Sequence, residues 1–125
     1  MPVLETNTGT LPGNLSGITY KYYECYESND RDTMESLLTE DFVFSSPNDD
    51  RIDRTTYFDK CWTSGVKMQA VFHFKKIFED EDDVFLLYVC YPESRKPFQN
   101  VEILRFEGDK IKEVQVYFGN YIKNE

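Results

Sequence analysis

The sequence predicts an α+β domain, with helices gathered early and antiparallel strands late, so that a curved sheet wraps around the helices. Three observations carry this reading. The apolar period changes from helical to strand-like between Ile18 and Pro47. A half-buried alternation and then a nearly continuous apolar run occupy Val66 to Tyr91. Glu107-Gly108-Asp109-Lys110 is a short Gly-containing connection of the sort that joins antiparallel hairpin strands.

Taken in order, residues 1–13 hold two Gly and two Pro without periodicity and read as a flexible arm. A single domain follows at 14–125. Leu15, Ile18, Tyr22 and Cys25 recur at steps of three and four, which puts one apolar stripe on a helix ending near Ser28. Asn29-Asp30-Arg31 breaks it. Asp32, with Glu35 three residues later, resembles a helix start ahead of Met34, Leu37 and Leu38. Phe42 to Ser46 reads as a strand ended by Pro47 and the polar Asn48-Asp49-Asp50 turn.

Asp53 or Thr55 then caps a third helix carrying Phe58, Cys61 and Trp62, with Gly65 just past its end. From Val66 the apolar Met68, Ala70, Phe72 and Phe74 alternate with Lys67, Gln69, His73 and Lys75, as on a half-buried strand. Glu79 to Asp83 is an acidic turn that keeps a hairpin tip solvated. Val84 to Tyr91 reads as a strand covered on both faces, and Phe98 to Phe106 with Ile111 to Phe118 as the closing hairpin.

The bulk composition narrows the function classes. A chain of 125 residues is large enough to bury one core without staples, and its 16% aromatic share argues against disorder. The formal charge of −9 repels phosphate backbones and anionic lipid, so nucleic acid and membrane partners are not expected. Cys25, Cys61 and Cys90 are odd in number and far apart, which suits a reducing, cytoplasmic setting and builds neither a disulfide set nor a zinc site. With one His and scattered Asp, no metal and no cofactor is expected.

The element order, together with YYECYESNDRDTMESLLTEDFVFSSP and VEILRFEGDKIKEVQVYF, resembles the nuclear transport factor 2 fold, and within it the SnoaL-like and ketosteroid isomerase branch. The likeness spans about residues 15–121 and implies a cone-shaped mixed or antiparallel sheet around three N-terminal helices. It also implies a mainly apolar cavity, a small hydrophobic ligand and a homodimer. In the isomerase branch, a carboxylate at the end of the first strand moves a proton next to a carbonyl. A helix Tyr and a protonated acid on the penultimate strand hydrogen-bond the oxyanion.

Carried over by spacing, the Tyr falls on Tyr22 and the acid on Glu102, whereas Ser46 stands at the base position. A Ser hydroxyl is far too weakly basic for that task without a base of its own. Asp49, Asp50 and Asp53 on the next loop are the nearest substitutes, although turn carboxylates are usually solvated. Phe58, Trp62, Phe72 and Phe118 are the expected ligand-lining aromatics. Glu102 lies in phase with Phe98, Leu104 and Phe106, so its carboxyl belongs on an otherwise apolar face, where burial raises its pKa. The phase of His73 puts it on the opposite face of its strand. Tyr88, Tyr91, Tyr117 and Tyr121 are expected on a dimer face. The function expected is an isomerase- or cyclase-type enzyme on a hydrophobic carbonyl compound; the alternative is a non-catalytic ligand-binding or dimerisation module, which Ser46 favours.

Overall fold

In the computed structural model, which describes residues 1–6 and 9–122, the start of the first helix is fixed from across the molecule. Helix α1 (Asn14–Ser28) opens with Glu79 Oε2 accepting from the Ser16 amide at 2.9 Å and the Ser16 hydroxyl at 2.6 Å. A carboxylate there satisfies an amide that lacks an intrahelical acceptor and sits favourably in the helix dipole. Gly13 leaves the necessary room, since a Cβ would lie 2.7 Å from that oxygen. Glu79 therefore is not part of a solvated tip; it belongs to strand β4 (Val71–Asp80) and holds α1 against the sheet.

Asn29 ends α1 with φ of 55°, a left-handed conformation that Asn tolerates. Helix α2 (Arg31–Leu37) is capped by Asp30 rather than by the expected Asp32: Asp30 accepts from the Thr33 amide at 3.1 Å and the Thr33 hydroxyl at 2.6 Å. Strand β2 (Leu38–Ser46) follows without a loop and starts earlier than Phe42. The polar segment after Pro47 does not stay a turn, because β3 (Asp49–Asp53) folds back antiparallel on β2, with Ser46 opposite Asp49.

The third helix is composite: α3 (Arg54–Thr56), a π-helical stretch Tyr57–Trp62, and α4 (Thr63–Lys67). Asp53 caps it by accepting from the Thr56 amide at 2.9 Å. Gly65 lies inside this helix, not past it. The strand expected from Val66 begins at Val71 instead, after Gln69 turns the chain with φ of 46°.

Strands β5 (Asp83–Tyr91), β6 (Phe98–Glu107) and β7 (Lys110–Tyr121) complete an antiparallel meander with β4. Strand β1 (Val3–Leu4), inside the segment read as a loose arm, pairs in parallel with β4. The seven strands run β1-β4-β5-β6-β7-β2-β3, with β2 parallel to β7. Register shifts interrupt four of the pairings, and such bulges bend strands and increase local twist. The shift after Phe74 reverses the phase of β4, so Ile77 turns inward and Phe78 is 57% exposed.

The concave face carries the core. Strand β5 is covered along its whole inner face, where Val84, Leu86, Tyr88 and Cys90 are buried, but only partly on the outer face, where Val89 is buried while Phe85 and Leu87 are half-buried. Tyr23 of α1 meets Phe72, Phe74 and Tyr88 with ring centroids 5.1–5.3 Å apart. The buried side of α1 is also more polar than its stripe suggests, because Ser16 and Thr19 are fully buried alongside Tyr22 and Tyr23. Among the described residues, no helix is long and apolar enough to cross a membrane.

Candidate functional site

Between the concave sheet and helices α1 and α4 lies a cavity of about 600 Å³. That volume suits a small organic ligand. Tyr22, Tyr23, Tyr88 and Glu102 line its buried part; Arg95, Phe118 and Tyr121 are exposed at its rim.

Glu102 is the central group. It projects inward from β6 and is 5% exposed. Its Oε2 accepts from the Tyr88 hydroxyl at 2.5 Å, and that hydroxyl accepts from the Asn100 amide at 3.1 Å. Strand pairing explains the arrangement: Tyr88 stands opposite Asn100, two residues along β6 from Glu102 and on the same face. Oε1 has no hydrogen-bond partner among the described residues. Burial pushes the Glu102 carboxyl up to about 7, while nearby Tyr23 and Tyr88 hydroxyls act in the opposite direction. Tyr23 is close enough to favour the carboxylate without meeting hydrogen-bond geometry, so its hydroxyl is also left unpaired.

Tyr22 borders the same cavity but belongs to a separate hydroxyl cluster. It pairs with Tyr57 at 3.2 Å, and Tyr57 also pairs with Tyr26. Burial holds the phenols of Tyr22, Tyr23, Tyr57 and Tyr88 well above their ordinary pKa, so they are protonated donors across the physiological range. Gly65 makes the Tyr26 position accessible: a Cβ there would lie 2.5 Å from Tyr26 Cε1. Gly65→Ala is therefore expected to displace that ring. Overpacking of ~1–3 kcal/mol, less the ~1 kcal/mol that Ala gains over Gly in a helix, leaves a net loss of at most about 2 kcal/mol. Urea denaturation measures it, and a raised midpoint would refute the close approach.

Ser46, at the family's base position, does not act alone. Its hydroxyl donates to Asp49 Oδ2 at 2.8 Å, and Asp49 Oδ1 accepts from Lys60 Nζ at 2.5 Å. The Cys61 thiol lies 3.9 Å from Oδ2. Asp49 borders the cavity with its side chain only 8% exposed, whereas most turn carboxylates are solvated. Burial alone would raise its pKa, but the Lys60 and Ser46 donors outweigh burial and hold it below the usual carboxylate range.

The expected aromatics divide. Phe72 and Phe118 border the cavity. Phe58 and Trp62 pack behind it: Arg31 lies over the Phe58 ring at 4.6 Å, and Trp62 stacks on Tyr26 at 5.0 Å. Tyr88 faces the cavity rather than a dimer surface, being 4% exposed. Asn100, Tyr23, Tyr26 and Tyr57 were not singled out from sequence; the strand phase shared with Glu102 is the signal that marks Asn100. His73 faces away from the cavity, paired with Glu5 and tilted against Tyr91 at 4.5 Å. Among the described residues, no group of three His, Cys, Asp or Glu is placed to hold a metal ion.

Comparisons place this geometry in a known group. The SnoaL-like domain family matches residues 20–114. No curated protein matches the chain significantly. Among solved structures, an NTF2-like protein of unknown function from Cytophaga hutchinsonii is 20% identical with a TM-score of 0.70, over 84% of this chain and 89% of that one. The epoxide hydrolase/cyclase-like enzyme SalBIII, of pyran ring formation in the polyether salinomycin, is 16% identical with a TM-score of 0.73, over 84% and 90%. IdmH from Streptomyces antibioticus, a candidate polyketide cyclase, is 19% identical with a TM-score of 0.69, over 83% and 91%. At such identities these structures establish a shared α+β cone. Because the family match spans most of the domain that forms this cavity, the chain belongs to the SnoaL-like family.

Proposed function

We propose that this SnoaL-like protein takes a small hydrophobic carbonyl compound into the cavity and moves a proton beside its carbonyl, as isomerase- and cyclase-type reactions require. The supporting observation is that two carboxyls bordering one cavity are pushed in opposite directions, Glu102 upward and Asp49 downward. Environments that separate two pKa values in this way mark an acid and a base. Protonated Glu102 donates from its free oxygen to the ligand carbonyl. Ionised Asp49 takes the proton from the adjacent carbon, and the C–H electron pair moves into the enol. Ser46 then positions Asp49 rather than acting as base. The descriptions of SalBIII and IdmH as cyclase-like support this class of substrate.

The test is an enolisation assay with 3-oxo steroids and polyketide-like ketones, run beside thermal-shift binding. Asp49→Asn is expected to lose ~10²–10⁴-fold in turnover while still binding ligand. Ser46→Ala is expected to move the acidic limb of the rate profile to higher pH, because it removes a hydrogen bond that favours the Asp49 carboxylate. Full turnover by Asp49→Asn refutes this base.

A second reading is ligand binding without turnover. The close Lys60 partner favours it, since a carboxylate held below its usual range is a weaker proton acceptor. Binding with no enolisation in any variant decides for that reading. For assembly we propose a homodimer through the outer sheet face, where Tyr117 is 53% exposed and pairs across the strands with exposed Val101. Sedimentation measures it. The free thiols of Cys25, Cys61 and Cys90 support a cytoplasmic setting.

A further inference from the structure

We propose that Arg95 is an anion clamp at the cavity rim, and that the ligand is an apolar carbonyl compound ending in a carboxylate. This rests on the cavity being the ligand site, as argued above. Arg95 lies in the loop between β5 and β6 and is the one Lys or Arg among the described residues lining the cavity. The chain has 23 Asp and Glu against 14 Lys and Arg, so carboxylates are abundant. Arg31, Arg51, Arg54 and Arg105 each take a carboxylate partner. Among the described residues Arg95 takes none. Glu93, two residues earlier, faces the Gln69 amide instead.

What Arg95 touches belongs to the cavity wall. Its guanidinium lies over the Phe98 ring, 5.8 Å from the centroid, and Nη1 is 3.6 Å from Met68 Sδ. Both residues line the cavity. A thioether is a weak acceptor and an aromatic face accepts no conventional hydrogen bond, so the planar fork that matches a carboxylate stays open. The charge also reaches inward. Burial pushes the thiol of cavity-lining Cys90 up to about 12, and Arg95 is the charge that opposes it.

The other cavity carboxyls do not neutralise this cation: Asp49 is paired with Lys60, and Oε2 of Glu102 is bound by Tyr88. An apolar ligand whose carbonyl reaches Glu102 would thus leave its far end at the rim beside an unmatched guanidinium. Long-range electrostatics work against anion uptake here, because the whole chain carries a charge of −9. A preference for an acid over its neutral ester accordingly requires a local cation.

Fluorescence titration with dansylaminoundecanoic acid and its methyl ester tests this on the full chain. These probes share an apolar body and differ in the terminal charge. Wild-type protein is expected to bind the acid ~10-fold more tightly than the ester at low salt, with the gap narrowing as salt screens the exposed rim. Arg95→Gln is expected to abolish or reverse the preference while leaving ester affinity within ~2-fold, which also shows that the variant is folded. Equal binding of acid and ester by wild type, or an undiminished preference in Arg95→Gln, overturns the clamp and leaves the cavity reading standing. Failure of both acid and ester to bind wild type overturns the clamp and the cavity reading together.

Discussion

Glu102→Gln is expected to flatten a pH dependence of stability that the wild-type protein shows between about pH 4 and pH 8. The folded-state pKa lies near 7 against an ordinary value of 4.5, because the buried site disfavours the charged form. The sign follows from proton binding: between these values the native state holds the proton more tightly than the unfolded chain. Stability from this group is therefore full below pH 4.5 and is lost as pH rises through 7. At ~1.4 kcal/mol per pKa unit, the stability gap between variant and wild type should widen by about 3 kcal/mol in favour of Gln from pH 4 to pH 8. Gln keeps an oxygen that can accept from Tyr88. Urea denaturation at several pH values measures the gap, and parallel curves would show that Glu102 ionises without strain. The same titration limits ligand binding, since only protonated Glu102 can donate to a carbonyl; ketone affinity should fall above pH 7 in wild type.

Tyr57 carries the second large effect. It is fully buried, with ring centroids of Phe42, Phe44 and Phe58 at 5.1–5.2 Å, and its hydroxyl joins those of Tyr22 and Tyr26. Tyr57→Ala empties an aromatic-sized volume where helix meets sheet and should cost about 3–5 kcal/mol. Tyr57→Phe keeps the ring but removes the partner of the buried Tyr22 hydroxyl and of the partly buried Tyr26 hydroxyl, at about 1–3 kcal/mol. Comparing the two by chemical denaturation separates packing from hydrogen bonding. If Phe were as damaging as Ala, the hydroxyl cluster rather than ring packing would be holding the composite helix. If neither destabilised, Tyr57 would not be part of the core.

How far the site was legible depended on the kind of signal each residue leaves. Glu102 stands in strict alternation with Phe98, Leu104 and Phe106, and a charged residue in an apolar phase announces itself. Tyr88 left no such mark: it sits in a nearly continuous apolar run, which hides the face each residue takes, and it was read as a dimer-face residue. Tyr57 stands four residues before Cys61, at the edge of the stripe through Phe58 and Trp62, and its depth in the core comes from the π-helical winding of Tyr57–Trp62. Asp49 looked like a solvated turn residue. Only the return of β3 onto β2 sets it opposite Ser46, and only the third helix brings Lys60 to it from eleven residues away.

The sequence by itself determined the α+β class, the order of the main elements, the inward phase of β6 and the family, because apolar periodicity and local turn chemistry are properties of neighbouring residues. Tertiary structure decided which groups meet: Tyr88 with Glu102, Ser46 with Asp49, Tyr57 with Tyr22, and Arg95 with no carboxylate among the described residues. Those pairings depend on strand register, bulges and helix docking, and a register shift of one residue turns a side chain to the opposite face. The charge states that make the cavity chemically capable follow from burial and from those partners, so they arise with the fold and not before it.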